Sequence, residues 1–298
     1  MLEKEGFIPL QVIGEGEYSL SHREDGVCHF YQDDLCELHR SHGISHKPVV
    51  CQLYPYTLVS TPHGHFVSLL YSCPAVVSGT GAGEAEQREA LTQLFKLGGG
   101  NVPQIDASKP HIMVTSQTTI SWLEYLELEQ QFIRLVDGSD PVGSLLGMVE
   151  LLIPDVDKSV LLTRLVEIAR FVKTSLLTPR REFRILKPTT TIERDCIRRF
   201  LLHQIHGKLL IVGPTLVSQL LMYAVSMAVF VDVLAQKEAR SQASNFSFDH
   251  LYDSFVLLEE QLLAQSSELE QEFMDWEERL VGSQAVSLSG DRSSLTSS

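Results

Sequence analysis

Leu209 to Val231 reads LLIVGPTLVSQLLMYAVSMAVFV, a run without a single charged side chain. Its reading decides the fold. A run of this length is enough to cross a bilayer. Yet Gly213, Pro214, Thr215, Ser218, Gln219 and Ser226 interrupt its apolar character, and Asp232 follows directly. Gly-Pro marks a helix start, with Pro214 in the first helical position. We read the run as the central helix of a helical domain, buried on most sides and not in a membrane. The expected helix spans Leu209 to Ala235, with Tyr223 and Met227 against neighbouring helices.

Outward from this run, apolar residues recur at helical intervals. SWLEYLELEQQFIRLV (Ser121–Val136) opens with Ser121 three residues before Glu124, the spacing of a capping box. PVGSLLGMVELLI, DKSVLLTRLVEIARFVKTSLL and TIERDCIRRFLLHQIHGKLL are further helices. FDHLYDSFVLLEEQLLAQSSELEQEFMDWEERL is a last acidic helix or pair of helices, and EAEQREALTQLFKL is a helix broken by GGGN. The Ser/Gly-rich end reads as a disordered tail, residues 283–298.

The formal net charge is -14. A phosphate backbone attracts basic faces, so a general nucleic-acid binder is not expected. The charge is uneven: Lys158 to Lys208 holds twelve Lys/Arg against four Asp/Glu, and Ser241 to Val281 one Arg against ten Asp/Glu. The simplest account is that these segments face each other or are solvated. MLEKEGFIPL lacks the basic start and apolar run of a secretory signal, which points to the cytoplasm, where thiols stay reduced.

Four of the five cysteines lie before Ala75. This part is short and turn-rich. FIPLQVI and GVCHFY read as strands and QDDL as a turn. PVVCQLY reads as a short helix between Pro48 and Pro55, and TLVSTPHGHFVSLLYS as a hairpin turning at Pro62 and Gly64. Cys28, Cys36, Cys51 and Cys73 are separated by seven, fourteen and twenty-one residues, which are not zinc-finger spacings. Each sits at the end of a short element, where a small fold can converge on one point. Four thiolates satisfy tetrahedral zinc or one iron–sulfur cluster. Four buried, unligated cysteines acting as small hydrophobes are the competing reading.

The stretch GVCHFYQDDLCELHRSHGISHKPVVCQLYPY, followed by Cys73-Pro74, resembles the YkgJ-type cysteine-cluster family, a zinc- or iron-chelating domain. The likeness rests on Cys28, Phe30, Asp33, Cys36, Leu38, His39, Lys47, Pro48, Cys51, Tyr54, Pro55, Tyr56, Cys73 and Pro74, and covers about a sixth of the chain. Members carry a further cysteine group with an adjacent Cys-Cys pair upstream, and no cysteine precedes Cys28 here. The related flagellin lysine N-methylase implies an iron–sulfur cluster used with S-adenosylmethionine. His39, three residues after Cys36, matches the family's histidine and reads as a hydrogen-bonding neighbour of a thiolate, or as surface, ahead of a ligand. His42, His46, His63 and His65 read as solvated, and Cys196 as a half-buried structural thiol.

The expectation is therefore an α+β chain. Residues 1–85 form a cysteine-cluster module of short strands and helix with Cys28, Cys36, Cys51 and Cys73 as metal ligands. Residues 86–282 form a mainly α-helical domain. The functional expectation is a metal-binding protein, holding zinc or an iron–sulfur cluster. One alternative is an iron–sulfur-dependent protein lysine N-methylase; another is a helical interaction protein with a zinc staple. A protein substrate or partner is expected, with no nucleic acid and no membrane. No nucleophile–base pair, paired-carboxylate site or phosphate loop stands out.

Overall fold

The computed structural model describes residues 10–14, 17–24, 27–33, 35–80, 84–98, 105–176, 183–240, 247–263 and 266–290. The chain is α+β, with long helices and small sheets. It divides into two compact units, Met1–Tyr54 with Gln87–Val102, and Pro55–Glu86 with Pro103–Ser298. The division falls after Tyr54 and not near residue 85, so the hairpin that follows Pro55 belongs to the helical unit.

The first unit is built from two hairpins and short helices. β1 (Leu10–Gly14) pairs antiparallel with β2 (Glu17–Leu20). β3 (Tyr31–Gln32) pairs with β4 (Leu35–Cys36), with Tyr31 opposite Cys36. The turn between them holds Asp33 at φ 50°, a left-handed conformation that Asp tolerates because its short side chain bonds locally. GVCHFY is therefore a strand only at its end; Cys28 itself forms an isolated bridge with His22. α1 (Glu37–His42) and α2 (Val49–Leu53) follow, and α2 starts after Pro48 as the sequence dictates. α4 (Glu84–Gly98) contributes its residues from Gln87 onward. The core here is thin: among the described side chains only Phe30, Leu53 and Leu91 are buried hydrophobics.

The second unit is organised around α9 (Leu216–Arg240), whose side chains from Leu216 to Asp232 are buried with the exception of Gln219. It lies against α6 (Pro141–Leu152), α7 (Lys158–Leu176), α10 (Phe248–Leu257), the π-helical turn Leu258–Leu263, and α11 (Ser266–Gly290). A helix apolar all round requires this central place. The helix does not begin at Leu209. Residues 209–211 form a 3₁₀ turn, and the helical stretch opens at Leu216 behind Thr215, whose hydroxyl accepts the Ser218 N–H at 3.0 Å. At its other end it runs past the expected Ala235 to Arg240, and Asp232 within it is buried against Lys173. Tyr223 and Met227 are buried as expected, with the Tyr223 hydroxyl donating to Gln204 at 2.7 Å.

The remaining elements dress this core. α5 (Trp122–Leu135) and α8 (Thr191–His206) each start with a complete capping box, Ser121/Glu124 and Thr190/Glu193. β5 (Tyr56–Thr61) and β6 (Gly64–Leu69) form the expected hairpin, with Gly64 at φ 121° closing the Pro62–His63 turn. β7 (Ile105–Asp106) adds to β5 in parallel, and β8 (Ile112–Thr115) pairs with β9 (Thr118–Ile120). α3 (Pro74–Ser78) ends at Gly79 in the left-handed region. The basic and acidic segments do meet, where Arg164 of α7 pairs with Glu272 of α11. α11 continues to Gly290, into the stretch expected as tail; residues 291–298 lie outside the described residues.

Candidate functional site

The cysteines separate by unit. Cys28, Cys36 and Cys51 lie in the first, Cys73 in the second, and all four are half-buried free thiols. The hairpin sets the first pair. The Tyr31 N–H donates to the Cys28 carbonyl at 2.9 Å, and Tyr31 stands opposite Cys36. Cys51 sits within α2. Burial is the main cause that raises its pKa; Lys47 opposes this, and the nearby thiols of Cys28 and Cys36 add to it. Three thiols thus share one neighbourhood. Among the described residues, however, no three His, Cys, Asp or Glu side chains are grouped so as to hold a metal ion. This overturns the reading of the chain as a metal-binding protein, together with the methylase and zinc-staple alternatives that depend on it. The physical reason lies in direction: sequence spacing placed the thiols near short element ends, but it does not aim their sulfurs at one point.

Cys73 precedes α3, and its carbonyl accepts from the N–H groups of Val76 and Val77. Its neighbour is Tyr252, whose hydroxyl donates to the Ser72 carbonyl at 3.2 Å. His39 is exposed on α1. His42 and His46 face each other at 5.6 Å between ring centres, His65 contacts Ser60 at 2.8 Å, and His63 lies edge-on to Trp122. All four are exposed, as expected. Tyr54 is exposed too and Tyr56 half-buried.

One set of buried titratable groups around Tyr71 was not signalled by the sequence. Tyr71 is fully buried at the centre of the second unit, in contact with Phe200, His203 and Phe255. Its hydroxyl lies 3.1 Å from His203 Nδ1. Burial pushes the tyrosine up and the histidine down to about 4, so both are neutral near pH 7. Cys196 donates to the Val77 carbonyl at 3.4 Å, and burial lifts its thiol to about 12. Glu259 holds the same region from the C-terminal side, accepting the N–H groups of Tyr71 and Ser72, each at 2.7 Å. These contacts anchor residues 68–77 to α8 and to the π-helical turn.

Two buried ion pairs also escaped the sequence reading, Lys208–Glu129 and Lys173–Asp232. Lys208, at φ 61°, lies over Phe66 at 4.6 Å from the ring centre. Glu277, buried in α11, accepts from Thr215 and from the Ser116 N–H, tying α11 to the head of α9. A cleft of about 200 Å³ beside that head is lined by Gly213, Pro214, Gln219, Met222, Glu270 and Phe273, with Glu270 its one ionisable wall group.

The first unit carries the other distinctive surface. Tyr31, Leu35, Ile44, Val50 and Tyr54 are 43–57% exposed within one short stretch. No family model, curated protein or solved structure matches the chain. The resemblance to the cysteine-cluster family therefore rests on the quoted residues alone.

Proposed function

We propose that the chain is a protein-interaction module in which the second unit is the scaffold and the stretch from Tyr31 to Tyr54 docks a protein partner. One observation carries this. The first unit buries three large hydrophobic side chains among its described residues and exposes five. Single exposed apolar residues are ordinary, but a concentration of them in a unit with so little core is the composition of an interface. The second unit exposes ten large hydrophobics among its described residues, Leu123 and Phe171 most, but sets them around an extensive buried core. The partner this surface fits is a protein with an apolar centre, because Arg40 is already taken up by Glu37 and Asp33 within the same stretch.

The test replaces Leu35, Ile44, Val50 and Tyr54 together by serine. Polar residues at exposed positions should leave the helical circular dichroism and the thermal transition where they are. Binding of an apolar fluorescent dye should fall, and a partner retained by the immobilised parent chain should be lost. Unfolding of the variant, or unchanged retention, would show that these side chains serve the fold and not an interface. Self-association that the substitutions abolish would assign the surface to a second copy.

A further inference from the structure

We infer that the groove between α7 and α11 is a second docking site, and that its occupant is a protein segment carrying an apolar side chain flanked by Lys or Arg. The groove lies wholly within the second unit and is independent of the surface from Tyr31 to Tyr54. It holds about 500 Å³, a size that accepts side chains of a partner. Its floor is apolar. Ile168 is buried, Leu269 is half-buried, and the Phe171 ring stands 59% exposed. α7 presents Arg164, Ile168 and Phe171 together because positions three, four and seven apart share one helix face. An aromatic ring left in water beside a concave apolar surface is the kind of group in which interface centres are enriched.

The rim decides the charge of the occupant. Three carboxylates, Glu167, Glu272 and Asp275, line the groove with one guanidinium, Arg164. Arg164 already binds Glu167 at 2.9 Å, and it binds Glu272 as well. Asp275 accepts from the neutral Gln271 amide at 2.7 Å. Arg170, beside Phe171 in the chain, is exposed and stands outside the lining. The rim is therefore net negative and draws in a cation over a Debye length of about 10 Å at 0.1 M salt. The face of the Phe171 ring attracts a cation too. An acidic segment is repelled at the same place, so the groove sorts partners by charge as well as by fit.

The probe is a fluorescently labelled helical peptide of Leu and Lys. Two companions carry Glu in place of Lys, or Ser in place of Leu. The full-length chain should bind the Leu–Lys peptide, more weakly as salt rises, and each companion roughly tenfold less well. Phe171→Ser should weaken binding about tenfold, with the circular dichroism of the parent. The joint serine variant of Leu35, Ile44, Val50 and Tyr54 should bind like the parent. Glu167→Lys with Asp275→Lys reverses the rim and leaves the floor, so the Leu–Glu peptide should now bind better than Leu–Lys. That reversal also decides the matter if Phe171→Ser unfolds. Equal binding by the parent and a folded Phe171→Ser would overturn the inference. So would loss confined to the joint serine variant, or a preference for Lys that survives rim reversal, since the acidic chain as a whole would then be the attractor. Self-association of the parent that Phe171→Ser abolishes would give the groove to a second copy and overturn the basic partner equally.

Discussion

Replacing Asp232 by alanine removes one carboxylate from the centre of the second unit. Asp232 is 2% exposed and Lys173 5%, and their charged ends meet between α9 and α7. Asp232 also accepts from Gln236 Nε2 at 2.8 Å and from the Arg184 N–H at 3.4 Å. Alanine takes away the anion and leaves the ammonium among apolar neighbours, with the Phe183 ring 6.0 Å away. Breaking a buried pair from one side costs about 3–5 kcal/mol. For a unit of this size each kcal/mol moves the midpoint by about 2–4 °C, so the melting temperature should fall by roughly 6–20 °C. Lys173→Met combined with Asp232→Leu removes both charges and should recover most of the loss, because the net worth of a buried pair over an apolar one is small. Urea denaturation of the parent, Lys173→Met, Asp232→Leu and the double variant, followed by circular dichroism at pH 7, closes a double-mutant cycle, with Asp232→Ala measured beside it. A loss below about 1 kcal/mol for Asp232→Ala would refute the reasoning. A double variant as unstable as the sum of the singles would refute it as well.

Other predictions concern pH, thiols and caps. His203 has a folded pKa near 4 against a reference of 6.5, so the unfolded chain takes up its proton first. Its contribution to stability is full above about pH 6.5 and is lost as pH falls toward 4; His203→Asn should flatten urea midpoints across that window. Glu238 shows the opposite sign: burial and the neighbouring Glu193 raise it from 4.5 to about 7. Its stabilisation is full below pH 4.5 and lost as pH rises through 7, and Glu238→Gln should remove that alkaline loss. Native alkylation should label Cys28, Cys36, Cys51 and Cys73 and spare Cys196, which is fully buried; equal labelling rates by mass spectrometry would contradict its placement. Ser121→Ala removes the cap of α5 and should cost about 1 kcal/mol by urea titration, with a change under a few tenths counting against the capping box.

What could be read from the sequence depended on whether the cause was local. The uncharged run around Tyr223 and the apolar periodicity of its neighbours announced the helical unit, because burial on all sides leaves its mark on consecutive residues. The Ser121 box and the Pro62–Gly64 turn were legible for the same reason. The burial of Asp232 against Lys173 was not legible, since the two are 59 positions apart. Lys208 and Glu129 are 79 apart, and no pattern in either neighbourhood couples them. The β8–β9 turn uses Ser116 and Gln117, which lack the Gly or Pro that punctuates a hairpin. The cysteines failed differently. Residue type and spacing named the thiols, but the direction of each side chain depends on two-residue strands and a left-handed Asp33, details below what periodicity resolves.

The Glu259 clamp has a consequence for the living chain. Tyr71 and its anchor are 188 positions apart. At about 5–20 residues per second, the hairpin of β5 and β6 leaves the ribosome roughly 10–40 s before the carboxylate that will hold its trailing end. Until then the N–H groups of Tyr71 and Ser72 lack that acceptor, and Tyr71 lacks the Phe255 face of its pocket. A nascent chain stalled before α10 therefore displays an unfinished surface, and a release from the ribosome short of Glu259 yields a molecule whose middle is complete in sequence but open in structure.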